Sequence, residues 1–189
     1  MIVLIIFLIC VFISLGVGVL AGASDIKSMT IPNSYSVYVA LSFALAYAAV
    51  AFLGVDGVFS SLSSHLLSAG LMFGFTFMLF GLRMIGAADS KFGTACALWF
   101  SARDLPVFIV YMACAGGVLA LASLVIQRKK PFAAPAQGSW IEQVQGGASK
   151  VPYGVAIAIG MGFAFVKAGY FSTSVLSSFL PVAGEGQAL

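Results

Sequence analysis

Charge is what this chain has little of. Only 8% of its 189 residues are charged, nine basic and six acidic, while 61% are hydrophobic. A soluble domain of this length needs far more charge to cover its surface, so the composition excludes a water-soluble globule and makes a bilayer the solvent. Histidine occurs once and cysteine three times. Cys10, Cys96 and Cys114 all lie in apolar runs and no two stand at CxxC spacing. That argues against a zinc site or a disulfide frame; they read as small buried hydrophobes, and no metal is expected. The basic residues form no face and do not alternate with aromatics, so nucleic acid is not an expected partner.

What the chain has is apolar length. It suits about six spans of roughly 20 residues joined by short loops, with no room for a separate soluble domain. The apolar segments are Ile2–Gly22, Tyr35–Gly54, Phe59–Leu82, Phe92–Ala102, Val107–Ile126 and Tyr153–Phe171. The fourth is short, and becomes long enough only if its helix begins near Ala87 and takes in Asp89 and Lys91. Ala21 and Ala23 offer an Ala-x-Ala shape after the first segment. That segment lacks a basic start and exceeds a signal core of roughly 7–15 apolar residues, so it is read as a retained transmembrane helix. The expected fold is all-α: a polytopic bundle of about six transmembrane helices in one domain over 1–189.

The basic residues set the orientation. With the N-terminus outside, Lys27, Arg83, Lys91, Arg128, Lys129, Lys130 and Lys150 all fall on the cytoplasmic side, in loops near 23–34, 83–91 and 127–151. Arg103 alone falls in an outer loop. Lys167 lies near the outer end of the last span, where it can snorkel. Trp140 and Ile141 of the long loop are expected at the membrane interface. Gly18-x-x-x-Gly22 and Gly70-x-x-x-Gly74 have the spacing that packs spans closely.

Ionisable groups near bilayer depth are costly and mark function by default. Asp25, in "SDIKSMTIPN", and Asp89, in "GAADSK", are the two acids so placed; Asp56, Asp104, Glu142 and Glu185 sit in loops or the tail. Two facing carboxylates can share a proton, one activating water and the other donating to a peptide carbonyl. The plainer reading makes them helix-terminal charges paired with Lys27 and Lys91. Those lysines would then steady a carboxylate or meet lipid phosphates. Asn33 reads as the cap of the second span, and Pro152 as the start of the sixth. Tyr153 and Gly154 are candidates for a site wall. His65 reads as an interfacial residue far from both acids, and the phenylalanines of "MFGFTFMLFG" as lipid-facing or core packing.

These motifs resemble those of the type IV prepilin peptidases, membrane aspartic proteases of the GxGD type. Asp25 followed by Ile31, Pro32 and Asn33 is similar to the first aspartate motif. Gly86, Asp89 and Lys91 are similar to the second, and "KVPYGVAIAIG" (150–160) resembles the opening of a late span. The resemblance implies an aspartic endopeptidase with Asp25 and Asp89 as catalytic pair and no cofactor. Its substrate would be a prepilin with a short basic leader, and its setting the cytoplasmic face of the bacterial inner membrane, in contact with lipid. Lys27, Lys91, Gly86, Ala88, Asn33, Pro152 and Gly154 would be supporting residues. The short 22–33 connection, without cysteine, resembles the tight-adherence (Flp) forms that lack a methyltransferase domain. Ala88 departs from the family, which usually has glycine there; alanine is tolerated in a helical conformation and strained at positive φ. Two alternatives stand beside this reading: an inactive peptidase-like pilus assembly protein, and a proton- or cation-coupled carrier.

Overall fold

The computed structural model describes residues 1–180. Within them the chain is helical: α1 (Ile2–Ser28), α2 (Asn33–Phe52), α3 (Leu62–Gly81), α4 (Ala87–Ala97), α5 (Leu105–Lys129), α6 (Trp140–Gln145), α7 (Tyr153–Lys167) and α8 (Thr173–Ser177). α1, α2, α3 and α5 are long and apolar enough to cross a membrane, and α7 is a shorter apolar helix. The expected fourth span does start at Ala87, as α4, but ends after only three turns. The two short helices α6 and α8 lie in stretches too polar or too brief to show as apolar segments.

α7 is the hub, packed between α1 and α5 and also touching α4; α2 joins α1 to α4, and α3 leans on α4. Small residues allow these approaches. A Cβ on Gly18 would stand 2.6 Å from Met161 Cε, and one on Gly22 3.3 Å from the Val155 Cα, both on α7. Lipid gives helices no hydrophobic drive to associate, so contact of this kind carries the packing. Gly160 brings α7 closer still to α5: its Cβ would lie 2.8–3.0 Å from the Cβ, N and Cα of Met112. Gly70 and Gly74 do not take part, since nothing lies within 4 Å of a Cβ at either. They sit on α3, whose main partner is α4, and both are exposed.

Three further expectations are corrected here. His65 is 1% exposed and packs among Phe43, Tyr47 and Phe59; its Nδ1 bonds the Leu98 carbonyl at 2.9 Å. It is a core residue, because Phe59 of the 53–61 loop and Phe43 and Tyr47 of α2 close over the end of α3. Trp140 is buried rather than interfacial, its indole N–H spent on Ser123 and Lys150. Cys10 and Cys96 are buried as expected, but Cys114 is exposed, on the side of α5 turned away from α7. The phenylalanines of α3 (Phe73, Phe75, Phe77 and Phe80) are exposed, so they are not core packing.

Candidate active site

α1 has 27 residues, a length of about 40 Å at 1.5 Å per residue, against a hydrocarbon core of about 30 Å. α1 is thus longer than the apolar layer requires, and Asp25 lies in its last turn. The helix stops at Met29, which takes the left-handed conformation (φ 53) and whose N–H closes on the Asp25 carbonyl at 2.8 Å. Non-glycine residues adopt that conformation rarely. Ser28 and Thr30 hydroxyls pair at 2.8 Å, and Ser24 Oγ donates to the Thr30 carbonyl at 2.8 Å, so the turn into α2 is tied down. Pro32 is the N-cap of α2 and Asn33 its first residue. Asn33 is thus not the cap; its Oδ1 accepts instead from Lys91 Nζ at 3.3 Å, joining α2 to α4.

Asp25 is 4% exposed. Its Oδ2 accepts the backbone N–H of Gly154, in the first turn of α7, at 2.7 Å. Only glycine fits that position comfortably: a Cβ would meet Ile31 Cδ1 at 2.9 Å and Asp25 Oδ2 at 3.1 Å. Pro152 is the N-cap of α7 and aims this first turn.

Asp89 is held differently. Gly86 is the N-cap of α4, and its N–H donates to Asp89 Oδ2 at 2.9 Å, a bond made within one helical turn. Asp89 is the third residue of α4, which at 11 residues is not one of the four helices long enough to cross a membrane. Burial pushes its carboxyl up to about 6, the charge of Asp25 adds to the rise, and the Gly86 N–H opposes it. Ala88 is the second residue of α4 and has no positive φ, so alanine sits there without strain.

Both aspartates line one cavity of about 680 Å³. Met29, Thr30, Ile31 and Asn33 form one side; residues 83–89 and Lys91 form a second; Ser149, Lys150, Val151 and Tyr153 form the third. Of the residues singled out from sequence, Asp25, Asp89, Gly86, Ala88, Lys91 and Asn33 line it, and Pro152 and Gly154 flank Tyr153 at its wall. Lys27 does not line it; it is exposed on the last turn of α1. Sequence reasoning missed Arg83, at φ 60 on the rim. A lone loop arginine carries no signal of that conformation. Among the described residues no cluster of three metal-ligating side chains occurs.

A carboxyl pair at the edge of an apolar bundle, with one member held near pH 6, can hold one proton between two sites. Residues 1–121, which carry both aspartates, match the model of the type IV leader peptidase family. The chain belongs to that family. Comparison with curated proteins and with solved structures returned no match. Family membership makes hydrolysis of a peptide bond the chemistry to explain and a multi-pass membrane protein its setting. The matched stretch ends before α6 and α7, so the Gly154 bond to Asp25 lies partly outside it. The α1–α2 connection, residues 29–32, holds no inserted domain, in keeping with a short leader peptidase without a methyltransferase.

Proposed function

We propose that this leader peptidase is an aspartic endopeptidase that removes the short basic leader of Flp-type prepilins, with Asp25 and Asp89 as its catalytic pair. The observation that carries the reading is the cavity of about 680 Å³ that both carboxylates line, each anchored by a backbone N–H. The anchors leave an oxygen of each carboxylate for water and substrate. One carboxylate, ionised, takes a proton from water as the water attacks the scissile carbonyl. The other, protonated, donates to the developing oxyanion. A second transfer protonates the leaving amine and resets the pair. The two protons belong to the pair as a unit, so neither aspartate is assigned permanently as base.

The whole chain acts as one peptidase domain. Arg83, Lys91 and Lys150 on its walls support a cytoplasmic position for the cavity, by the positive-inside rule. The membrane is the bacterial inner membrane. There a prepilin leader would stay in the cytoplasm while the apolar segment remains in lipid.

The test is cleavage of a tagged Flp-type prepilin in membranes, followed by gel shift and mass spectrometry. Asp25→Asn and Asp89→Asn keep the shape and remove the charge; each is expected to lower turnover by at least about 10³-fold. Unchanged cleavage in either variant would sink the dyad.

A further inference from the structure

The wall of the cavity opposite α4 is a single stretch of chain, Ser149–Val151, leading through Pro152 into Gly154. Behind it lies a second cavity of about 210 Å³, lined by Ser123, Leu124 and Gln127 of α5 and by the same wall residues. An extended segment with space on both sides gets little from packing, and its position depends on its hydrogen bonds. Those bonds converge on one atom, the Lys150 carbonyl oxygen. It accepts Trp140 Nε1–H at 3.1 Å and Ser123 Oγ–H at 3.0 Å, and the two donors are themselves 3.3 Å apart. Trp140 and Ser123 are both buried, 8% and 7% exposed. The Lys150 ammonium is tied to the same short helix through Gln143 Oε1 at 2.8 Å.

We propose that Trp140 is a positioning residue for Asp25: by pinning the Lys150 carbonyl it fixes the wall that holds the Gly154 N–H against the Asp25 carboxylate. The inference rests on the reading that Asp25 is catalytic. It explains why a tryptophan of the long polar loop is buried, and gives α6 a task. α6 has six residues and could not persist alone; its N-cap Ser139 and the Gly138 N–H bond to Glu142 hold it in place to present the indole. Sliding the wall moves an N–H that sits 2.7 Å from the carboxylate, and small misplacements of that kind are costly in rate.

The experiment compares Trp140→Phe, which removes the N–H with part of the indole's bulk but keeps an aromatic ring in place, with Ser123→Ala, the double variant, and Val144→Ala. Val144 is fully buried on α6, so its truncation costs stability while removing neither donor to the Lys150 carbonyl. Two readouts are taken on the full-length protein in nanodiscs: prepilin cleavage across pH, and amide exchange at Gly154. Trp140→Phe is expected to lower kcat about tenfold with KM unchanged. It should also shift the pH profile, because the Gly154 N–H is a direct contact of the Asp25 carboxylate. Gly154 exchange should quicken by about the same factor, and further in the double variant. Val144→Ala should keep the wild-type kcat, profile and Gly154 exchange. Wild-type kcat, pH profile and Gly154 exchange in the double variant would overturn the proposal. So would equal effects from Val144→Ala, which would reduce Trp140 to fold stability. If wild type itself fails to cleave, the dyad reading has failed, and Gly154 exchange alone decides on Trp140.

Discussion

The two ends of this bundle treat polar groups in opposite ways. At the end that carries Asp25 and Asp89, the carboxylates are anchored by backbone N–H groups and border an open cavity with basic residues on its rim. At the other end, His65, Trp99 and Tyr170 are packed among Phe7, Phe43, Phe59 and Phe165. His65 Nε2, Ser68 Oγ and Trp99 Nε1 there find no partner among the described residues. The smaller cavity at that end, about 280 Å³, has His65, Ser101, Asp104 and Tyr170 on its wall. One end spends its polar groups on a defined geometry; the other spends aromatic packing on holding helices together. The lesson is that buried polarity marks a site only where the fold directs donors at it.

Mutations should separate the ends by which quantity they change. Gly154→Ala puts a methyl 3.1 Å from Asp25 Oδ2 and 2.9 Å from Ile31. Cleavage should fall about a hundredfold, with thermal stability in detergent close to wild type. His65→Ala should do the reverse. It empties the space between Phe43 and Phe59 and leaves the Leu98 carbonyl without its partner, costing about 2–3 kcal/mol. Turnover per folded molecule should stay unchanged. A loss of turnover from His65→Ala at full stability would erase the distinction between the ends.

A smaller effect sharpens the same contrast through pH. Asp89 is held near 6 by burial first and by the Asp25 charge second. Its carboxyl is therefore raised above the ordinary value of about 3.9, and the folded state favours the neutral form. That contribution to stability is fully present below pH 4 and is lost as pH rises through about 6. Melting temperature should decline over that window in wild type, and Asp89→Asn should flatten the decline. Cleavage should fall above pH 6 as the pair loses its shared proton. A melting temperature that rises over the same window would contradict the placement of Asp89.

Much of the end that brings Asp25 and Asp89 to one cavity was legible in sequence, because its signals are rare residues in an apolar background. Two acids, an Ile-Pro-Asn turn and a glycine three residues before Asp89 stand out against 61% hydrophobic composition. The start of α4 at Ala87 followed from a length argument alone. What was not legible depends on contacts across the fold. The bond from Gly154 to Asp25 spans 129 positions, and no local pattern announces it. Trp140 looked like an interfacial anchor because burial of an indole in a polar loop needs its partners, Ser123 and Lys150, to be seen. His65 misled for a related reason: position along α3 gives depth, while the 53–61 loop that covers it is invisible to periodicity. Gly70 and Gly74 carried the right spacing on the wrong face, since spacing gives periodicity but not the partner.

The smallest expected effect concerns Ala88, where the family usually has glycine. The position is the second residue of α4, with helical backbone and partial burial against the core. Glycine there gains no needed conformation and loses backbone order, a cost of about 0.5–1 kcal/mol in a helix interior and less in a first turn. Ala88→Gly should therefore leave prepilin cleavage within about twofold of wild type and lower the melting temperature slightly, by an amount consistent with that cost. A large gain in cleavage would mean that the methyl crowds the substrate beside Asp89. The departure from the family would then be a partial disabling of the enzyme. Equal activity would make it a neutral choice that slightly firms the N-terminus of the helix carrying the second aspartate.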